Sequence, residues 1–94
     1  MSYLCAEIRA YDDIRKVMTV AFSEQWPLKA TCATFAEVSL DDCDAIGHDA
    51  DAGDTGLTSD EACVLKLLLD EGGPLEDVLG HPEHLVGRVC ELDE

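Results

Sequence analysis

The sequence predicts a mainly α fold, a compact bundle of about five helices, and three observations carry that expectation. Apolar residues recur at three- and four-residue steps through the first quarter of the chain. Thr58-Ser59-Asp60-Glu61 has the form of a capping box in front of an apolar run. Glycine and proline then cut the remainder into helix-length pieces. With 94 residues, 47% of them hydrophobic, the chain makes a single domain, residues 1–94, with one modest core.

The stripe Leu4, Ile8, Tyr11, Ile14, Met18 and Phe22 predicts one long helix over residues 2–24, because nothing in Arg9–Asp13 breaks it. The alternative is an α+β fold with a short strand at 2–8 and another at 31–38. Gln25-Trp26-Pro27 ends the first element, since the residue before proline is pushed out of the helical region. Residues 28–38 support two readings. Leu28, Cys32, Phe35 and Val38 keep a helical stripe, while Cys32, Thr34, Ala36 and Val38 alternate as in a strand.

Ser39 is placed to cap a short helix over Leu40–Ile46, with Asp41 and Asp42 in its first turn and Gly47 as its stop. His48 to Leu57 reads as a loop. Asp60 to Glu71 follows the capping box and is apolar nearly all round, which predicts the most buried helix. Gly72-Gly73 stops it, and Pro74 restarts the chain into a short helix, Leu75–Leu79, closed by Gly80. Pro82 opens a last helix with Leu85, Val86, Val89 and Leu92 facing inward.

Charge is the most unusual property of the chain. The formal net charge is −15. Residues 1–29 balance Glu7, Asp12, Asp13 and Glu24 against Arg9, Arg15, Lys16 and Lys29. Beyond them only Lys66 and Arg88 are basic. Such a surface repels nucleic acid and anionic membrane and attracts basic proteins. Cys5, Cys32, Cys43, Cys63 and Cys90 form no CxxC pair, and the opening Met-Ser-Tyr-Leu-Cys-Ala-Glu leads to no expectation of a secretory leader. The expectation is reduced thiols in a reducing cytoplasm. The longest apolar run, Val64 to Leu69, is broken by Lys66, so no transmembrane segment is expected.

Residue types and spacing bear on several chemistries. Asp49, Asp51, Asp54 and Glu61 loosely follow a calcium loop, but one residue is inserted and no glycine stands at the sharp turn. His81 and His84 with Cys90, or Cys43 with His48, offer zinc donors without a recognisable knuckle spacing. A Cys–His nucleophile needs an electropositive setting, which an acidic chain does not supply. Asp60–Glu71, Gly-Gly and Leu75–Leu79 resemble a helix-turn-helix, yet Pro-Leu-Glu-Asp-Val-Leu-Gly would repel phosphate. No catalytic residue, metal ligand or cofactor is expected.

The remaining candidate is the acidic surface itself. Asp41, Asp42, Asp44, Asp49, Asp51, Asp54, Asp60, Glu61, Asp70, Glu71, Glu76 and Asp77 are the expected contact residues, with Trp26 as an apolar anchor. Duplex DNA carries about one negative charge per 1.7 Å of axis, and closely spaced carboxylates approach that density. In size and charge alone the profile is similar to small phage-encoded inhibitors that imitate DNA, among them anti-CRISPR and anti-restriction proteins. That similarity implies a non-enzymatic inhibitor seated on the basic, nucleic-acid-binding surface of another protein. The alternatives are a regulatory adaptor that homodimerises through residues 2–24, or a module that binds calcium or zinc.

Overall fold

The computed structural model describes residues 3–25, 33–49 and 55–93, with Asp93 described by its backbone. The fold is α+β, and a mainly helical bundle is overturned. The elements are β1 (Tyr3–Asp12), β2 (Val17–Ser23), β3 (Thr34–Ser39), α1 (Leu40–Asp49), α2 (Ser59–Glu71), α3 (Leu75–Gly80), a 3-10 turn at Pro82–Leu85, and β4 (Val89–Asp93). The strands form one antiparallel sheet in the order β3-β2-β1-β4. The helices cover one face of it.

The long helix expected over 2–24 is a β-hairpin. Inward-facing residues alternate, as a half-buried strand requires: Leu4, Ala6 and Ile8 on β1, and Met18, Val20 and Phe22 on β2. A bulge at Arg9 explains why the stripe looked helical. Pairing runs in register from Cys5 to Ile8, slips by one residue, and resumes at Ala10. The extra residue places both Ile8 and Tyr11 against the core, a three-residue step inside a strand. The hairpin turn is built by Asp12, whose Oδ1 accepts the backbone N–H groups of Ile14 (3.0 Å) and Arg15 (3.1 Å). Lys16 closes the turn at φ 56°. Ile14, expected on the buried stripe, sits at the tip, 93% exposed.

Residues 34–39 are strand, which settles the described part of the ambiguous 28–38 segment in favour of the alternating pattern. Ala36 and Val38 turn inward, while Phe35 lies on the opposite face beside Ala21. The α+β alternative, with strands near 2–8 and 31–38, lies closer to the fold but lacks β2 and β4.

Helix α1 starts where expected, with Ser39 Oγ accepting the N–H of Asp42 at 3.2 Å. It runs on through Gly47 to Asp49 and does not stop at the glycine. Gly47 is buried because Leu75 lies against it. A Cβ there would stand 2.6 Å from Leu75 Cδ1. The glycine permits a close helix–helix approach.

Helix α2 carries both halves of the capping box. Thr58 Oγ1 accepts the N–H of Glu61 at 3.1 Å, and Glu61 Oε1 accepts that of Thr58 at 2.9 Å. Its buried residues, Ala62, Val64, Leu65, Leu68 and Leu69, pack over β1 and β4. Leu67 points outward at 41% exposure.

The last helix expected from Pro82 is absent. Its first turn is 3-10, Val86 is extended, and Gly87 adopts φ 93°. The chain then returns along β1. The N–H of Gly87 donates to the carbonyl of Ile8 at 2.8 Å, and that of Ile8 to the carbonyl of Arg88 at 3.1 Å. Cys90 and Leu92 of β4 join the core, whereas Val86, expected inward, is exposed.

Candidate acidic binding surface

Packing decides where the carboxylates go. Helix α1 buries Cys43, Ile46 and Gly47, helix α2 its apolar stripe, and helix α3 Val78. The opposite sides of these helices therefore carry the acids. Asp41, Asp44 and Asp49 of α1 are exposed, and Asp42 is half-buried. Asp60, Asp70 and Glu71 of α2 are exposed, as are Glu76 and Asp77 in the first turn of α3. Asp51, Asp54 and Trp26 lie outside the described residues.

Within this layer three carboxylates are engaged. Asp44 meets His48 at 3.3 Å, one turn on. Asp70 accepts from Lys66 Nζ at 3.1 Å, and the same ammonium donates to the carbonyl of Gly47 at 3.1 Å, tying α2 to the end of α1. Glu61 serves its own helix as a cap. The other predicted contact residues, Asp41, Asp42, Asp49, Asp60, Glu71, Glu76 and Asp77, have no hydrogen-bonded or ion-paired side-chain partner among the described residues. Several stand in first turns of helices, where the backbone dipole favours negative charge.

The sheet and its hairpin are arranged differently. Arg9 pairs with Glu7 at 2.8 Å, Lys16 with Asp13 at 2.9 Å, and Arg15 reaches across to Glu37 of β3 at 3.0 Å. The hydrogen bond and charge of Glu37 hold the Arg15 guanidinium above its ordinary range, and Asp13 does the same for Lys16. The described cations of the hairpin, Arg9, Arg15 and Lys16, are thus matched one by one. The charge balance of residues 1–29 was readable in the sequence. The recruitment of Glu37, from a different strand, was not.

Three buried thiols, Cys5, Cys43 and Cys90, are held protonated. Burial, with Asp42 beside it, pushes the Cys43 thiol up to about 12. Burial raises Cys5, assisted by Glu91 and Glu7, and burial with Glu71 raises Cys90. Cys5, Cys43, Cys63 and Cys90 are free thiols. Cys43 is inside the core while His48 faces Asp44, so that zinc pairing is not assembled. The rings of His81 and His84 stack, with centroids 5.3 Å apart and planes at 17°. They lie beside a hollow lined by Asp77, Leu85 and Arg88, and Cys90 is not among its lining residues. Among the described residues no group of three or more His, Cys, Asp or Glu side chains is set to hold a metal ion. Of the proposed calcium set, Glu61 is committed to its cap and Asp49 ends α1. Among the described residues no helix is long and apolar enough to cross a membrane.

A comparison of this chain with protein-family models, with curated proteins and with solved structures finds no match in any of the three.

Proposed function

We propose that this protein is a non-enzymatic acidic ligand for a basic partner, and that it occupies a nucleic-acid-binding surface in the manner of a DNA mimic. The observation that carries the reading is the run of unpartnered carboxylates on one helical layer, set against one-to-one charge matching on the hairpin. Carboxylates without internal partners keep their full attraction for a cation outside the molecule. Helix α1 carries the unpartnered Asp41, Asp42 and Asp49, together with Asp44 beside His48, along an axial rise of about 12 Å. The four carboxylates average about 4 Å of rise apiece, near the about 3.4 Å between phosphates along one strand of a duplex. Attraction at this density steers a basic protein into contact and sets a steep salt dependence. The buried, protonated thiols favour a binding role over nucleophilic chemistry.

Capture on the immobilised chain tests this directly. A partner should elute as sodium chloride is raised, and added duplex DNA should displace it. A variant with Asp41, Asp42 and Asp44 each changed to Lys should lose it. Retention in the presence of DNA, or unchanged capture by that variant, sinks the mimic reading.

A further inference from the structure

We infer that a second copy of this chain docks on β3, the two strands pairing antiparallel about Ala36, so that two four-stranded sheets join into one. This inference is independent of the proposed basic partner.

β3 pairs with β2 along its full length, Thr34 opposite Phe22 through Ser39 opposite Val17, with no irregularity. Among the described residues its other edge makes no backbone hydrogen bond. Sheet edges are ordinarily guarded by Lys, Pro, bulges or a covering element. Thr34-Phe35-Ala36-Glu37-Val38-Ser39 contains neither Lys nor Pro and carries no bulge. Phe35 stands 49% exposed on the face away from the helices. β1 and β2, the strands of residues 2–24 through which a homodimer was the alternative, are the inner strands of the sheet, with β4 pairing β1 over Tyr3–Glu7.

Charge selects this edge over the other. β4 carries Glu91 and Asp93, and Glu71 lies close enough to raise the Cys90 thiol. Two β4 edges would set carboxylate against carboxylate. β3 holds a single acid, Glu37, already matched by Arg15.

The pleat narrows the register, and the charge of Glu37 favours one centred on Ala36 over one centred on Glu37. Residues directly opposite in an antiparallel pair point to the same face, so only registers that match inward with inward residues are admissible. Pairing centred on Glu37 sets it against the second copy's Glu37, which is unfavourable. Pairing centred on Ala36 sets Ala36 against Ala36, Thr34 against Val38, and each Phe35 against the Glu37–Arg15 pair of the other copy. The strand is complementary to itself in that register, which is why the occupant is another copy of the chain. The same geometry brings the two α1 helices, with their aspartates, towards each other across the seam. Association therefore strengthens as salt screens them.

The test is the mass in solution of the full chain by light scattering or sedimentation, from about 0.05 to 1 M sodium chloride, a range over which screening tightens several-fold. The wild type is expected to be dimeric at high salt and to dissociate as salt is lowered. That trend is opposite in sign to capture of a basic partner, so the two proposals fail separately. Phe35→Glu places like charge against Glu37 twice and should be monomeric throughout. Phe35→Lys places opposite charge there and should remain dimeric. A wild type that stays monomeric at high salt and high concentration overturns the inference. Equal masses for the Glu and Lys variants overturn the register.

Discussion

Cys43 shows what a single position contributes. Its thiol is fully buried in α1, and its pKa is pushed up to about 12 from 9.0. In the unfolded chain the thiol ionises from about pH 9, whereas the folded chain keeps its proton until about pH 12. The stabilisation is therefore complete below pH 9 and declines between pH 9 and 12. The slope is at most about 1.4 kcal/mol per pH unit. Urea midpoints of wild type and Cys43→Ala, taken at intervals above neutral pH, should show the wild type losing stability more steeply once pH passes the unfolded value. Parallel curves would remove Cys43 as the cause. Cys5 and Cys90 are raised in the same direction and are common to both proteins, so they cancel in the difference. That Cys43 is buried was legible from composition, because free cysteine behaves as a small apolar residue. The inward turn of Gly47 was not. Glycine reads as a helix stop, and only the position of Leu75, from a different helix, reveals its use as a contact point.

At the level of the element, legibility followed how local the determining forces were. Helix α2 was readable because its start lies in four consecutive residues, with the apolar run directly behind. Thr58→Ala should cost about 1 kcal/mol in a urea titration, the usual value for a lost N-cap. Thr58→Ser should cost much less, since a serine hydroxyl accepts the same N–H. If the two variants unfolded alike, the hydroxyl would not be the stabilising group. The hairpin was misread for the opposite reason. Its alternation is present in Leu4-Cys5-Ala6-Glu7-Ile8, but the bulge at Arg9 shifts the phase before Tyr11. A strand with one extra residue imitates helical spacing over a short window. β-branched Val17, Thr19 and Val20 were the local signal that favoured strand. β4 was hidden behind Pro82, whose preference for a first helical turn is satisfied by a single 3-10 turn. Gly87 at positive φ then redirects the chain.

The whole molecule is governed by the separation of its charge. It measures 34 × 25 × 24 Å. The Debye length is about 30 Å at 0.01 M salt and about 3 Å at 1 M. At the lower concentration nearly every carboxylate of the helical layer repels every other, and at the higher one only neighbours do. The melting temperature should therefore rise with sodium chloride across that range, and uncharged sucrose at matched osmolality should not reproduce the salt-specific part. A melting temperature that falls with salt would mean that the ion pairs of the hairpin outweigh the repulsion. Those pairs are exposed and are worth little individually.

The sheet order has a consequence for how the molecule is made. β1 lies between β2, its immediate successor, and β4, the most distant strand of the sheet in sequence, with Tyr3 opposite Asp93 and Glu7 opposite Val89. The first hairpin can close early, since its turn is short and its contacts are local. One flank of β1 must then wait until β2, β3 and the helices between them and β4 have been synthesised. Closure of that flank completes the wall beneath α2, so the order of synthesis and the order of consolidation run apart. A chain emerging from the ribosome holds a templating edge on β1 until β4 arrives.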